Sequence, residues 1–226
     1  VVESTCPYCP TGCTLDLKVK DGEVVDVSAD YDSPTEHGLI CVKGRFAIPE
    51  YVLSPDRLAS PTILGPGGYD LIDWDGAFER AAEKIKAAGD KVCVVVSPDL
   101  ATEDLFVAQQ FAREVIGTEA ILSPVLYELG GDLRAFVDLV LTSEAVDSVE
   151  SAKGILSIGL DTTYGFTPLG IAVKKAARKD TTLVTIDDGE CNLDFLSEEA
   201  IRSNPEGWPE YLDGVMKSMS GNGKKG

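Results

Sequence analysis

The chain has 226 residues, 44% of them hydrophobic, and 38 acidic against 20 basic side chains give a formal net charge of −18. That length holds one large domain, or a small lobe and a larger one. The charge sets it against the phosphate backbone of nucleic acid and against anionic membranes, and no apolar run reaches the roughly 18–20 residues of a membrane span. A basic-plus-apolar leader does not open the sequence, which points to a soluble, cytoplasmic protein, although Val1 leaves a removed leader open. The acidic surface reads as solvating, or as a means of steering a basic partner.

Residues 5–13 are a loop of Cys, Pro and Gly. Leu15 to Val19 alternates apolar and polar, Asp21-Gly22 suits a type I′ turn, and Val24 to Val27 follows, so residues 14–28 are expected to form a β-hairpin. A polar loop over 30–40 returns the chain to Cys41. Pro49 to Gly68 carries four prolines and ends in Gly65-Pro66-Gly67-Gly68, which excludes a long helix and predicts an extended crossing segment.

The pattern then changes. Helical spacing predicts a helix over Trp74–Ala88, capped by Asp73 or Asp75 and stopped by Gly89. Further helices are expected over Thr102–Ile116, Asp132–Leu141 and Leu169–Lys179. Strands are expected at Val92–Val96, Gly154–Ile158 and Leu183–Ile186. Mostly apolar strands alternating with helices imply a mainly parallel α/β sheet covered on both faces. Gly130-Gly131 reads as loop punctuation, and Ser218–Gly226 as a frayed tail. The expected architecture is α/β, with a small β-rich metal lobe over 1–50 and a mainly parallel α/β lobe over 51–226.

Four of the six cysteines fall in the first 41 residues, as Cys6-x2-Cys9-x3-Cys13-x27-Cys41. Without a secretory signal, such clustering favours a metal site over disulfides. Three thiolates in one short loop and a fourth at a distance suit a 4Fe–4S cluster. Structural zinc is the competing reading, although zinc ribbons pair two hooks of two cysteines each. Cys93, inside an apolar run, reads as a small buried hydrophobe, and Cys191 as a surface or half-buried thiol. His37 is the single histidine and reads as a surface residue, so no Ser/His/Asp set exists.

Cys6-Pro7-Tyr8-Cys9-Pro10-Thr11-Gly12-Cys13, the hairpin, and Gly38-Leu39-Ile40-Cys41-Val42-Lys43-Gly44-Arg45-Phe46 together resemble the N-terminal iron–sulfur domain of the molybdopterin oxidoreductase superfamily. Formate dehydrogenase catalytic subunits and the large iron–sulfur subunit of respiratory complex I belong to it. Weaker likeness continues through Ser54-Pro55-Asp56-Arg57, Asp73 to Ala77, Ala112 to Thr118 and Lys153 to Gly159. The resemblance implies a 4Fe–4S cluster on Cys6, Cys9, Cys13 and Cys41, with Lys43 on the electron path between cluster and pterin.

Three departures stand against a full catalytic site. Ala120 to Glu128 lacks the Cys or selenocysteine that ligates molybdenum or tungsten in formate dehydrogenases. Asp187-Asp188-Gly189 replaces the family's Asp-Pro-Arg, adding negative charge where dinucleotide phosphates would lie, which argues against molybdopterin guanine dinucleotide. The family's catalytic subunits also continue for several further domains. The resulting expectation is an electron-transfer subunit of a hetero-oligomeric oxidoreductase complex, with iron–sulfur or flavin proteins as partners, no catalytic residues of its own and no nucleic acid. Two alternatives remain: a fragment of a split formate-dehydrogenase-like enzyme, with Ser123 or Asp132 as an oxygen ligand, and a structural cluster or zinc scaffold.

Overall fold

The computed structural model describes residues 1–125 and 132–219, and the expectations for Gly130-Gly131 and for the tail beyond 219 lie outside them. The chain divides into two compact units, one of Val1–Ser54 with Glu144–Gly226 and one of Pro55–Ser143.

The first unit opens on an antiparallel sheet of β1 (Val2–Thr5), β2 (Thr14–Lys20) and β3 (Glu23–Ala29), with β2 in the middle. The hairpin joins β2 to β3 as the sequence predicts: Asp21 and Gly22 both take positive φ, 54° and 85°, as a type I′ turn requires. Alternation turns Leu15 and Val27 inward, and the register shift between Lys18 and Val19, which leaves Val25 unpaired and exposed, brings Val24 to the same face. After the returning loop, a π-helical turn, Lys43–Ala47, runs into α1 (Ile48–Leu53), whose Ile48 joins that core beside Cys6 and Cys13. Pro49 sits in the first turn of α1, directly after the π-helical turn.

The second unit begins with the hairpin of β4 (Thr62–Gly65) and β5 (Gly68–Leu71), in place of the expected extended crossing; Pro66-Gly67 makes its tip. Helix α2 spans Trp74–Ala88, with the Asp73 carboxylate accepting the Gly76 N–H at 2.8 Å and Gly89 closing it at φ 61°. Strand β6 is confined to Val94–Val95 and pairs in parallel with β7 (Ile121–Leu122). The run around β6 has Val92, Val94 and Val96 half-buried while Cys93 and Val95 are exposed. Only one face of this strand is covered, so the expectation of a buried Cys93 fails: a fully apolar run is not by itself evidence of two covered faces. Helix α3 (Thr102–Gln110) continues as a π-helical turn, Phe111–Ile116, to the left-handed Gly117, and α4 (Leu133–Leu141) starts at Asp132, which accepts the Ala135 N–H at 3.0 Å.

The chain returns to the first unit with β8 (Gly154–Ile158), α5 (Thr167–Ala177), β9 (Thr182–Asp187), β10 (Glu199–Arg202) and α6 (Trp208–Met219). The three strands form a parallel sheet in the order β10-β9-β8. Leu183, Val173 and Leu193 make its core. Parallel strands, helices and the N-terminal antiparallel sheet give the mixed α/β class expected, with the parallel pairing split between two small sheets. Ser218 lies within α6 rather than in a frayed end.

Asp194 ties the exit of this sheet together. Its carboxylate accepts the Thr185 hydroxyl at 2.9 Å, the Cys191 N–H at 2.8 Å and thiol at 3.1 Å, and a guanidinium N–H of Arg202. Burial raises the Asp194 pKa, but these donors outweigh it and leave the carboxyl below the ordinary carboxylate range. A depressed folded pKa stabilises above the unfolded value and is lost as pH falls through the folded one. Asp194→Asn is expected to cost about 1.5–3 kcal/mol near neutrality. Denaturant unfolding should show the gap between parent and variant shrinking as pH falls through the carboxylate range.

Candidate metal centre

Sheet register starts the site. β1 pairs with β2 so that Thr5 lies opposite Thr14, and the next pair outward is Cys6 and Cys13, with the Cys6 N–H donating to the Cys13 carbonyl at 2.9 Å. Between them the Gly12 N–H donates to the Cys9 carbonyl at 3.3 Å, at a φ of 65° that glycine adopts freely. Cys41 comes from a separate segment, after the returning loop: its carbonyl accepts the Arg45 N–H at 3.0 Å as the π-helical turn begins. In that turn Gly44 passes so close that a Cβ there would stand 3.7 Å from Cys6 Sγ.

The four thiols share one electrostatic neighbourhood. Burial pushes Cys6 up from its ordinary value, with added repulsion from Cys41 and Cys9. Cys13 is pushed up to about 12 by burial, then by Glu36 and by the other three cysteines. At Cys9 burial also raises the pKa, but hydrogen bonds with Thr11, the Phe166 N–H and the Lys43 charge outweigh it and bring the thiol below its ordinary value.

Lys43 and a loop from the parallel sheet complete the enclosure. The Lys43 ammonium donates to the Tyr164 carbonyl and lies 5.9 Å from the centre of the Tyr8 ring. Tyr8 is held in turn by its hydroxyl, which donates to the Ala47 carbonyl at 3.1 Å. The loop carrying Tyr164 leaves the C-terminal end of β8, and the Asp161 carboxylate shapes it by accepting the N–H of Thr163 at 2.7 Å and of Tyr164 at 3.3 Å. Thr162 packs on α5 at Gly170, where any Cβ would meet Thr162 Cβ at 2.5 Å, so only glycine lets helix and loop approach this closely. The outcome is a backbone carbonyl on Lys43 and a backbone N–H on Cys9 from one short segment.

Comparison with known proteins places this arrangement. Residues 1–51 match the molybdopterin oxidoreductase Fe4S4 domain, and residues 57–199, more than half of the chain, match the molybdopterin oxidoreductase model. The chain belongs to the molybdopterin oxidoreductase family. It is 32% identical to F420-dependent formate dehydrogenase 2 subunit alpha of Methanococcus maripaludis, over 96% of this chain and 37% of that one. It is 31% identical to NADPH-Fe(3+) oxidoreductase subunit alpha of Geobacter sulfurreducens, over 81% of this chain and 22% of that one. A subunit of the NADH-quinone oxidoreductase of Rhizobium meliloti is 26% identical over 96% of this chain and 26% of its own. The fold is that of acetylene hydratase from Pelobacter acetylenicus, with a TM-score of 0.63 at 19% identity, covering 88% of this chain and 29% of that one. The chain thus spans between about a fifth and somewhat over a third of the length of these relatives.

The Fe4S4 domain implies a 4Fe–4S cluster, and the residues present fit one. Iron–sulfur clusters are held by four cysteine thiolates, with hydrogen bonds to sulfur and nearby charge tuning them. Cys6, Cys9, Cys13 and Cys41 would supply the donors, Phe166 and Thr11 the hydrogen bonds, and Lys43 the charge. Among the described residues no three His, Cys, Asp or Glu side chains gather so as to hold a metal ion; what relates the cysteines here is the sheet register of Cys6 and Cys13 and the packing of Gly44 on Cys6.

Other residues singled out in the sequence fall elsewhere in this oxidoreductase fold. His37 is exposed, as expected, and its Nε2 lies 2.6 Å from Asp147 Oδ1. Cys191 is half-buried against Asp194. Asp132 is engaged in capping α4, and Ser123 Oγ is buried without a hydrogen-bond partner among the described residues. Asp187 ends β9, and its carboxylate accepts the Asp188 N–H at 2.9 Å.

Sequence reasoning missed Glu36. It is 1% exposed, accepts the Thr14 N–H at 3.0 Å and the Ser33 hydroxyl at 2.7 Å, and sits in a loop that reads as polar and solvated. The spacing Ser33-x-x-Glu36, typical of reciprocal capping, was the one signal that the loop is ordered.

These thiol environments set an order of reactivity in the metal-free chain. A lowered pKa enriches the thiolate at neutral pH, and a raised one suppresses it. Timed iodoacetamide labelling near pH 7.5, read by peptide mass spectrometry, is expected to modify Cys9 before Cys6, with Cys13 the slowest of the three.

Proposed function

We propose that this chain is an electron-transfer module of a larger oxidoreductase complex, in which Cys6, Cys9, Cys13 and Cys41 hold one 4Fe–4S cluster and pass single electrons between partner subunits. The observation that carries this reading is the β1–β2 register that sets Cys6 opposite Cys13 with Cys9 in the loop between them, the packing of Gly44, three residues after Cys41, against Cys6, and the anchoring of Lys43 on the 161–166 loop. When bound, the cluster supplies reversible one-electron uptake. The chain's own residues set the conditions for it. Cys6 and Cys13, at 7% and 6% exposure, lie away from water. The Phe166 N–H and the Thr11 hydroxyl stabilise negative charge on the Cys9 sulfur. Lys43 puts a positive charge beside Cys6 and Cys9, and a cation near an anionic site favours the reduced form.

Partners are inferred from the same chemistry. A relay needs a donor and an acceptor, so iron–sulfur or flavin subunits in a hetero-oligomer are the expected neighbours. Relatives named as formate dehydrogenase alpha subunits and as part of an NADH-quinone oxidoreductase support that class of complex. In this reading the chain has no molybdenum site of its own. The stretch beginning at Ala120 carries no cysteine, Asp132 is occupied in a helix cap, and Asp187-Asp188 opposes a dinucleotide phosphate. A second reading, a piece of a formate-dehydrogenase-like molybdenum or tungsten enzyme, is favoured by the buried Ser123 hydroxyl and by the match over residues 57–199.

Metal analysis and EPR of anaerobically purified protein separate these. About four irons per chain, with a signal after dithionite reduction and neither molybdenum nor tungsten, is the result expected. Molybdenum or tungsten near one per chain would transfer the assignment to the second reading. Cys13→Ser and Cys41→Ser should each lose or convert the cluster signal, whereas Cys93→Ser and Cys191→Ser should keep it; loss of the signal in Cys191→Ser would overturn the ligand set.

A further inference from the structure

Glu36 is a buried acid without a cation. It is 1% exposed, and among the described residues no Lys, Arg or His forms an ion pair with it. Its carboxylate is held by two neutral donors, the Thr14 N–H and the Ser33 hydroxyl. Burying a carboxylate on two neutral hydrogen bonds is costly, and a neutral amide would serve the same scaffold at lower cost. The cost is incurred at a particular place: Thr14 follows Cys13, so the acid is moored to the backbone of a cysteine the cluster would use.

We propose that Glu36 is a positioning residue with a second task, a fixed negative charge that lowers the reduction potential of the iron–sulfur site from the side opposite in charge to Lys43. This rests on the reading that the four cysteines hold a cluster. Its place brings it beside the site: the carboxylate accepts at 3.0 Å the N–H of Thr14, the residue next to Cys13, and it is buried from water. Lys43, of the opposite sign, is anchored on the Tyr164 carbonyl and over the ring of Tyr8, which lies between Cys6 and Cys9 in the sequence. The cysteine loop therefore has both a cation and an anion for neighbours, each carried by residues of the same lobe. An added electron is favoured by the one and opposed by the other, most strongly where little water intervenes to screen them.

The test compares Glu36→Gln, Glu36→Ala and Glu36→Asp with the parent chain, by iron content, EPR-monitored redox titration and thermal unfolding. Variants should group by charge. Glu36→Gln and Glu36→Ala are expected to shift the reduction equilibrium toward the reduced form by about tenfold, a midpoint rise of about 59 mV for one electron. Glu36→Asp should stay near the parent. Glu36→Ala, which also releases the Thr14 N–H and the Ser33 hydroxyl, should in addition unfold at lower temperature. Iron-loaded Gln or Ala variants with the parent's midpoint would overturn the proposal, as would a shift in Glu36→Asp equal to theirs. Should the Gln variant fail to load iron, the Ala and Asp variants decide in the same way. A parent chain that itself binds no iron would overturn the cluster reading, and this one with it.

Discussion

Four thiolates cannot be held together in a partly buried lobe unless their mutual repulsion is answered, and the first unit is organised around that constraint. The raised pKa values of Cys6 and Cys13 measure the problem, since burial and neighbouring sulfur both penalise the charged form. Three things answer it: the ammonium of Lys43, backbone and hydroxyl donors at Cys9, and the metal for which such a donor set is suited. The antiparallel sheet provides the rigid frame. Pairing of Thr5 with Thr14 fixes the separation of Cys6 and Cys13 before any metal is considered, and Ile48, Leu15 and Val27 fill the space behind them.

The parallel sheet contributes by where its strands end. β8 delivers the chain into the 161–166 segment, and β9 delivers it to Asp187 and on to Asn192, whose side-chain oxygen accepts the Thr162 hydroxyl. Loops at the carboxyl ends of parallel strands are the usual place for binding groups in open α/β sheets. Here one such loop reaches the cysteine lobe and holds Lys43 by a main-chain carbonyl. Asp194 keeps the neighbouring loop and β10 in register by collecting donors from three segments, so the position of Thr162 depends on contacts well away from sulfur.

Local signals made much of this legible. Asp21-Gly22 named its own turn, Asp73 and Gly89 bounded α2 to the residue, and β8 matched its apolar run. The cysteine spacing marked the candidate metal lobe because such ligands come from a short loop and a segment that returns to it. What stayed hidden was set by distant contacts. Nothing near Tyr164 or Phe166 in sequence says that their backbone meets Lys43 and Cys9, more than 120 residues away in the first case. Cys93 misled because a run of apolar residues does not tell how many faces of a strand are covered. Glu36 misled because a carboxylate in a loop of Asp, Ser, Pro and Thr is ordinarily solvated, and only the Ser33 and Thr14 donors make its burial tolerable.

The choice of partner for Lys43 has a consequence for the field at the site. A carboxylate there would have cancelled the ammonium charge, leaving a neutral pair with little reach. A backbone carbonyl fixes the same geometry and leaves the full positive charge in place, as does the face of Tyr8. The Glu36 carboxylate is likewise moored by neutral donors, the Thr14 N–H and the Ser33 hydroxyl, and not by a cation. Two opposite charges are thus held near the thiols without meeting each other. An ion pair between them would have left the sulfur atoms in a weaker field. The fold keeps them apart because β2 carries Thr14 to Glu36 while the π-helical turn carries Lys43 toward the 161–166 loop, so the separation is built into the backbone rather than into side-chain rotamers.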